Sequence, residues 1–234
     1  MESRQDRRAL LSAMGAAAAG VALATAPGYA QTKASAPAKA AGAPPRGKFT
    51  PARHREDAWL DEAPGKHRTI IDSATAPGAA NALLYAGNLF TANKSGYGLN
   101  DGDLAIVVCL RHFATVFAFN DAMWAKHGKT FAAIASIGEK AAAAPTTNPH
   151  LQDANMGLPI PGISPLAKRG VQFAICDMAT HFFASQIATA TNGDAAAIYK
   201  ELVANAVPNS HFVAAGVVGT TRAQEYGYSL LVAG

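Results

Sequence analysis

The chain has 234 residues, half of them hydrophobic, with 20 Lys and Arg against 16 Asp and Glu for a formal net charge of +4. The basic residues fall disproportionately near the N-terminus, from Arg4 to Arg55, rather than on one patch of the folded part, which argues against nucleic-acid binding. Two cysteines, Cys109 and Cys176, exclude a disulfide scaffold and any CxxC or CxxCH chemistry.

Residues 1–30 read as a cleavable export leader. Arg4, Arg7 and Arg8 precede an uncharged Ala/Gly/Val/Leu stretch from Ala9 to Ala26, and Gly28-Tyr29-Ala30 offers a small-x-small cleavage site before Gln31. The segment Asp6-Arg7-Arg8-Ala9-Leu10-Leu11-Ser12 resembles the twin-arginine motif, with Leu10 where Phe is more usual. The weakly hydrophobic core suits that route better than a Sec leader, and Gly15, Gly20 and Pro27 make it a poor membrane anchor. The expectation is a periplasmic or secreted protein without a stable membrane anchor. Residues 31–53 have the Ala, Pro and Lys composition of a disordered linker. The remainder, 54–234, is the length of one domain with a sizeable core.

Within that domain, His67-Arg68-Thr69-Ile70-Ile71-Asp72 predicts a short strand ending at Ser73. Ala80, Leu83, Leu84 and Gly87 repeat at helical spacing on to Phe90, while Asn88, Asn93, Tyr97-Gly98 and Asn100 read as loop chemistry. After a turn at Asn100–Asp103, Leu104–Leu110 is apolar on both faces, as a central parallel strand should be. Phe113, Val116, Phe117 and Trp124 fall on one helical stripe, closed by a basic turn and glycine stop at Lys126-His127-Gly128. Residues 138–165 contain four consecutive alanines and five prolines without a sustained period, a Pro-rich insertion that is either a lid or disordered. Leu166–Gly170 reads as a helix end and Val171–Cys176 as a third strand. Asp177–Thr189 is helical in pattern, and a further helix capped at Asn192-Gly193-Asp194 runs to a stop at Pro208. Ser210–Val213, Gly216–Tyr226 and Gly227–Val232 complete the series as strand, helix and strand. Short apolar strands alternating with helices predict an α/β protein, a three-layer α/β/α sandwich with a mainly parallel five-stranded sheet.

Ligands of such sheets bind beyond the carboxyl ends of the strands. Those ends are Asp72 and Ser73, Arg111 and His112, Cys176 and Asp177, and Val213 to Gly216. The run Gly170-Val171-Gln172-Phe173-Ala174-Ile175-Cys176, followed by Val213-Ala214-Ala215-Gly216-Val217-Val218 and by Gln224-Glu225-Tyr226-Gly227-Tyr228, resembles the C-terminal half of DsrE/DsrF-like proteins. Their pattern is a strand ending in Cys, a later strand leading into a Gly-Val helix start, and a Gln-x-x-Gly-Tyr closing strand. The resemblance spans His67 to Gly234, with 138–165 its least matched part. It implies a parallel five-stranded domain assembled as homo-oligomers, trimers or hexamers, and a persulfide-bearing cysteine at the position of Cys176. The leader, linker and insertion set this chain apart from the cytoplasmic relay members and their tRNA-thiolation partners.

On chemical grounds alone, a thiol between a strand end and a helix start faces unpaired backbone N–H groups and the positive end of the helix dipole, which favour the thiolate. Asp177 opposes that effect, and a small buried core residue is the alternative. Cys109, inside its apolar run, reads as structural, and a disulfide between the two cysteines is geometrically conceivable on neighbouring strands. His112, His150 and His181 with Cys176 or Asp72 would make a metal site, yet no ligand spacing supports one, so neither a metal nor a cofactor is expected. Arg111 either holds an anion or pairs with Asp72 or Asp177. The resulting expectation is a sulfur carrier or sulfurtransferase-like protein. Cys176 is its reactive thiol, and Arg111, His112, Asp72, Asp177 and Gly216 surround a small sulfur species beneath the 138–165 lid. The alternative is a non-catalytic oligomeric module that binds a small ligand or a protein.

Overall fold

The computed structural model describes residues 50–137, 144–155 and 159–234. The leader at 1–30, most of the linker, and 138–143 and 156–158 of the insertion lie outside the described residues. A short helix α1 (Trp59–Glu62) precedes β1 (His67–Ser73), α2 (Ala76–Tyr97) and β2 (Leu104–Leu110). A 3-10 segment (His112–Ala118) leads to α3 (Asp121–Ile134), a two-residue hairpin β3 (Ala154–Asn155) and β4 (Pro159–Ile160), and α4 (Ile163–Lys168). Then follow β5 (Gln172–Cys176), α5 (Asp177–Thr191), α6 (Ala195–Ala204), β6 (Ser210–Val213), α7 (Gly216–Glu225) and β7 (Ser229–Ala233).

Five strands form one parallel sheet in the order β6-β5-β2-β1-β7. His67 lies opposite Leu104, Val107 opposite Gln172, and Phe173 opposite Ser210. Strand alternation divides the core in two. Leu104, Ile106, Val108 and Leu110 of β2 face a large cluster with α2, α3 and α5, whereas Ala105, Val107 and Cys109 face a smaller one with α1 and α7. The architecture is therefore the three-layer α/β/α sandwich, and β2 at its centre is buried along its whole length.

The chain steps from β1 to β2, β5 and β6 in one direction across the sheet, then returns to place β7 beside β1. Right-handed crossovers require the return connection to run over the opposite face, and α7 does so. The neighbours β5 and β6 consequently send the chain to opposite faces, through α5 and α7. Their carboxyl ends part, which opens a crevice there.

Local structure follows side-chain chemistry, and in places it departs from the periodicity. Helix α2 starts where the Thr75 side chain accepts from the Gly78 N–H and continues for 22 residues, well past Phe90. Asn88, Asn93 and Tyr97 are thus helical, and the helix stops only at Gly98, left-handed at φ 68°, whose N–H reaches the Asn93 and Lys94 carbonyls. The stripe from Phe113 to Trp124 is two elements, because the chain becomes extended at Phe119 and Asn120 and the Asn120 side chain then caps α3. Gly128 does not end α3. A side chain there would collide with the Pro145 carbonyl, so glycine permits close packing rather than a stop. Helix α6 ends at Ala204, short of Pro208.

The described parts of the insertion fold onto α2 and α3. The buried Asn148 donates from Nδ2 to the Phe117 and Phe119 carbonyls at 2.9 and 2.8 Å, and its backbone N–H donates to Asp121 Oδ1 at 2.8 Å. Pro161 packs where a side chain on Gly87 of α2 would sit, and Ile163 and Leu166 of α4 are buried. Among the described residues no helix is long and apolar enough to cross a membrane.

Because Asn148 satisfies two buried carbonyls at once, Asn148→Ala is expected to lower the free energy of unfolding by about 2 kcal/mol. Urea denaturation at neutral pH measures this, and an unchanged midpoint would show that the Asn148 hydrogen bonds contribute nothing to stability.

Candidate functional site

The crevice at the strand ends holds a cavity of about 430 Å³. Four of the residues singled out from the sequence line it: Arg111 and His112 after β2, Cys176 closing β5, and Gly216 opening α7. Its walls are otherwise apolar and come from Phe113, from the first two turns of α5 through Met178, Ala179, Phe182 and Phe183, and from Val217. None of the described insertion residues contributes, since Asn148 and Pro161 hold that segment against α3 and α2, so the described insertion is not a lid over Cys176.

Cys176 occupies the N-cap position of α5, with its side chain almost buried at the cavity floor. The first-turn amides of a 15-residue helix therefore begin at this residue. Cys109 is different. It is fully buried, its Sγ donates to the Gly216 carbonyl at 3.7 Å, and burial pushes its thiol well above the ordinary range. Both thiols are free. Cys109 lies opposite Ala174 on β5, so Cys176 stands two residues further along. That diagonal is roughly 7–8 Å between Cα atoms, longer than a disulfide ordinarily spans.

Arg111 is committed to Asp72. Its Nε and Nη2 donate to the two carboxylate oxygens at 2.7 and 2.8 Å, which holds the guanidinium pKa above its usual value. Asp72 sits buried behind it at the end of β1. The stem of Arg111 lies against Gly216, where any side chain would strike its Cβ, and this explains glycine at the start of α7. The strand ends are further tied by Arg111 N–H to the Ser73 carbonyl at 3.1 Å and Ser73 Oγ to the Cys109 carbonyl at 2.7 Å. His112 has a left-handed backbone at φ 52°, and its ring rests 3.9 Å from that of Phe113. Such a conformation costs a non-glycine residue on the order of 1–3 kcal/mol and concentrates at functional sites.

Asp177 looks elsewhere. It accepts from Tyr199 Oη at 2.7 Å and lies 3.6 Å from His181 Nε2, while the His181 ring stacks on Tyr199 at 3.9 Å. The hydrogen bond to Asp177, with burial, pushes the Tyr199 hydroxyl up to about 12. Asp177 and Tyr199 border a second crevice of about 480 Å³ with His54, Asp57 and Arg222. Adjacent residues 176 and 177 thus serve two cavities, one apolar and one polar. His150 belongs to neither: its ring lies 4.3 Å from Phe117. Among the described residues no three His, Cys, Asp or Glu side chains come together as a metal would need. The cavity walls Met178, Phe182 and Val217 were not among the site residues expected from the sequence; the signals available were the i, i+4 spacing of Met178 and Phe182 immediately after Cys176 and the place of Val217 next to Gly216.

No family model matches the chain, and no curated protein matches it. Among solved structures it is similar to MTH1491 from Methanobacterium thermoautotrophicum, a protein of unknown function, at 13% identity over 71% of this chain and 99% of that one, with a TM-score of 0.37.

Burial alone lowers the pKa of His150 to about 4. In the unfolded chain a histidine titrates near 6.5, so between those values the unfolded state binds the extra proton. Stability is then complete above about pH 6.5 and falls as the pH drops towards 4, by up to about 3 kcal/mol from this group. Urea denaturation of the protein and of His150→Gln at pH 7 and 4.5 is expected to show a shallower loss in the variant. Equal losses would remove His150 from the acid response.

Proposed function

We propose that this chain is an exported sulfur-handling protein of DsrE/DsrF-like type, in which Cys176 accepts and presents one sulfane sulfur. The observation that carries this reading is the position of Cys176, at the head of α5 and on the floor of the strand-end cavity. The transfer is a displacement. The Cys176 thiolate attacks the terminal sulfur of a persulfide R–S–SH, the bond between the two donor sulfurs breaks, and R–S⁻ leaves as Cys176–S–SH forms. The sulfane sulfur keeps its oxidation state and no external oxidant is consumed. Cys176 stands at the N-cap position of α5, beside the cavity from which the donor approaches. Asp177, adjacent in sequence, has its carboxylate engaged by Tyr199 and near His181. Cys109, sealed in the sheet, takes no part.

A second reading, a non-catalytic oligomeric binding module, is favoured by β7. This edge strand exposes Leu230, Leu231 and Val232, an apolar edge that pairing with another chain would cover. The two readings differ at one atom.

On treatment of the folded protein with polysulfide, intact-mass analysis is expected to show a gain of one sulfur that maps to Cys176 and disappears in Cys176→Ser. Iodoacetamide at neutral pH is expected to modify Cys176 well before Cys109, which serves as the internal control. Absence of the sulfur adduct together with an inert Cys176 would leave the binding module as the function.

A further inference from the structure

The cavity above Cys176 is built for something other than a small inorganic ion. Among the described residues, Arg111 is the one Lys or Arg side chain that lines it, and it is neutralised by a bidentate pair with the buried Asp72, its stem held against Gly216. The remaining surface is largely hydrocarbon and aromatic: Phe113, Met178, Ala179, Phe182, Phe183 and Val217. Three of these stand at the mouth with much of their surface in water, Met178 at 67%, Val217 at 56% and Phe182 at 46%. A volume near 430 Å³ is in the range of sites that take organic small molecules. Thiosulfate, sulfite or a short polysulfide would leave most of this apolar surface wet and meet an Arg111 guanidinium already paired with Asp72. A hydrocarbon or aromatic group would cover the walls and the mouth together, with its sulfur end at the Cys176 thiol.

We infer that the cavity receives the uncharged, apolar organic group of a thiol or persulfide, so that sulfur reaches or leaves Cys176 on a hydrophobic carrier. The role assigned to the carrier rests on the sulfur-handling reading above. The site for its apolar group rests on the cavity alone.

The test is equilibrium binding of 1-butanethiol, 1-hexanethiol and 1-octanethiol to the full chain and to Cys176→Ser, with 2-mercaptoethanesulfonate as the charged counterpart. Each methylene that enters the cavity should tighten binding about three- to fourfold, in both proteins, and the sulfonate should bind more weakly than any of the series. Met178→Glu and Val217→Glu, at exposed positions that leave the core untouched, are expected to weaken octanethiol at least tenfold without a change in melting temperature. A flat chain-length series, or tighter binding of the sulfonate, overturns the inference even if polysulfide still adds sulfur to Cys176. A steep series with no sulfur adduct sustains it while removing the sulfur-transfer reading.

Discussion

The ion pair between Arg111 and Asp72 is the constraint on which the strand-end site depends. It joins the ends of β1 and β2 across the middle of the sheet, and it places the Arg111 stem against the first residue of α7. A partly buried guanidinium and a buried carboxylate are tolerable only as partners, since either alone would be an uncompensated charge. The pair therefore holds three elements in one arrangement: β1, β2 and the start of α7. It also occupies the Arg111 guanidinium that would otherwise offer the cavity a charge for an anion. Gly216 follows from the same contact, because the close approach of α7 to Arg111 leaves no room for a Cβ.

From that arrangement comes the division of labour between two adjacent residues. Cys176 ends a strand whose neighbour β6 sends its chain to the other face, and its side chain lies in the resulting gap. Asp177, the first residue of α5, turns towards Tyr199 on α6 and joins a polar crevice with Arg222 and Asp57. One helix start thus separates an apolar compartment containing a thiol from a polar one containing a carboxylate and a phenol. The Asp177 carboxylate is occupied by a donor of its own, the Tyr199 hydroxyl.

Much of the fold was legible in the sequence because strands in a doubly covered sheet advertise themselves. Leu104–Leu110 and Val171–Cys176 are short, apolar on both faces and bounded by turn residues, and each lies within a residue or so of the strand observed. The places where periodicity misled are those where a non-local contact decides. Asn88 and Asn93 look like loop residues but sit on the exposed end of a helix that only Gly98 terminates. Gly128 looks like a stop but accommodates the Pro145 backbone. Of the site, strand-end logic located Cys176, Arg111, His112 and Gly216, because topology alone brings those positions together. It left Arg111 open between an anion and a carboxylate, and only the geometry of Asp72 decides between them. It missed the apolar walls, which come from the sides of α5 and α7: Met178 and Phe182 read as ordinary helix residues, and Val217 as part of a helix start rather than of a site.

The neutrality of the cavity is the central claim, and thiosulfate binding tests it directly. Isothermal titration of the wild-type protein is expected to show no saturable, salt-sensitive binding, whereas Asp72→Asn, which keeps the shape of the side chain and removes its charge, should acquire such binding at Arg111. Tight, salt-sensitive binding of thiosulfate by the wild type, unaltered in Asp72→Asn, would contradict the account.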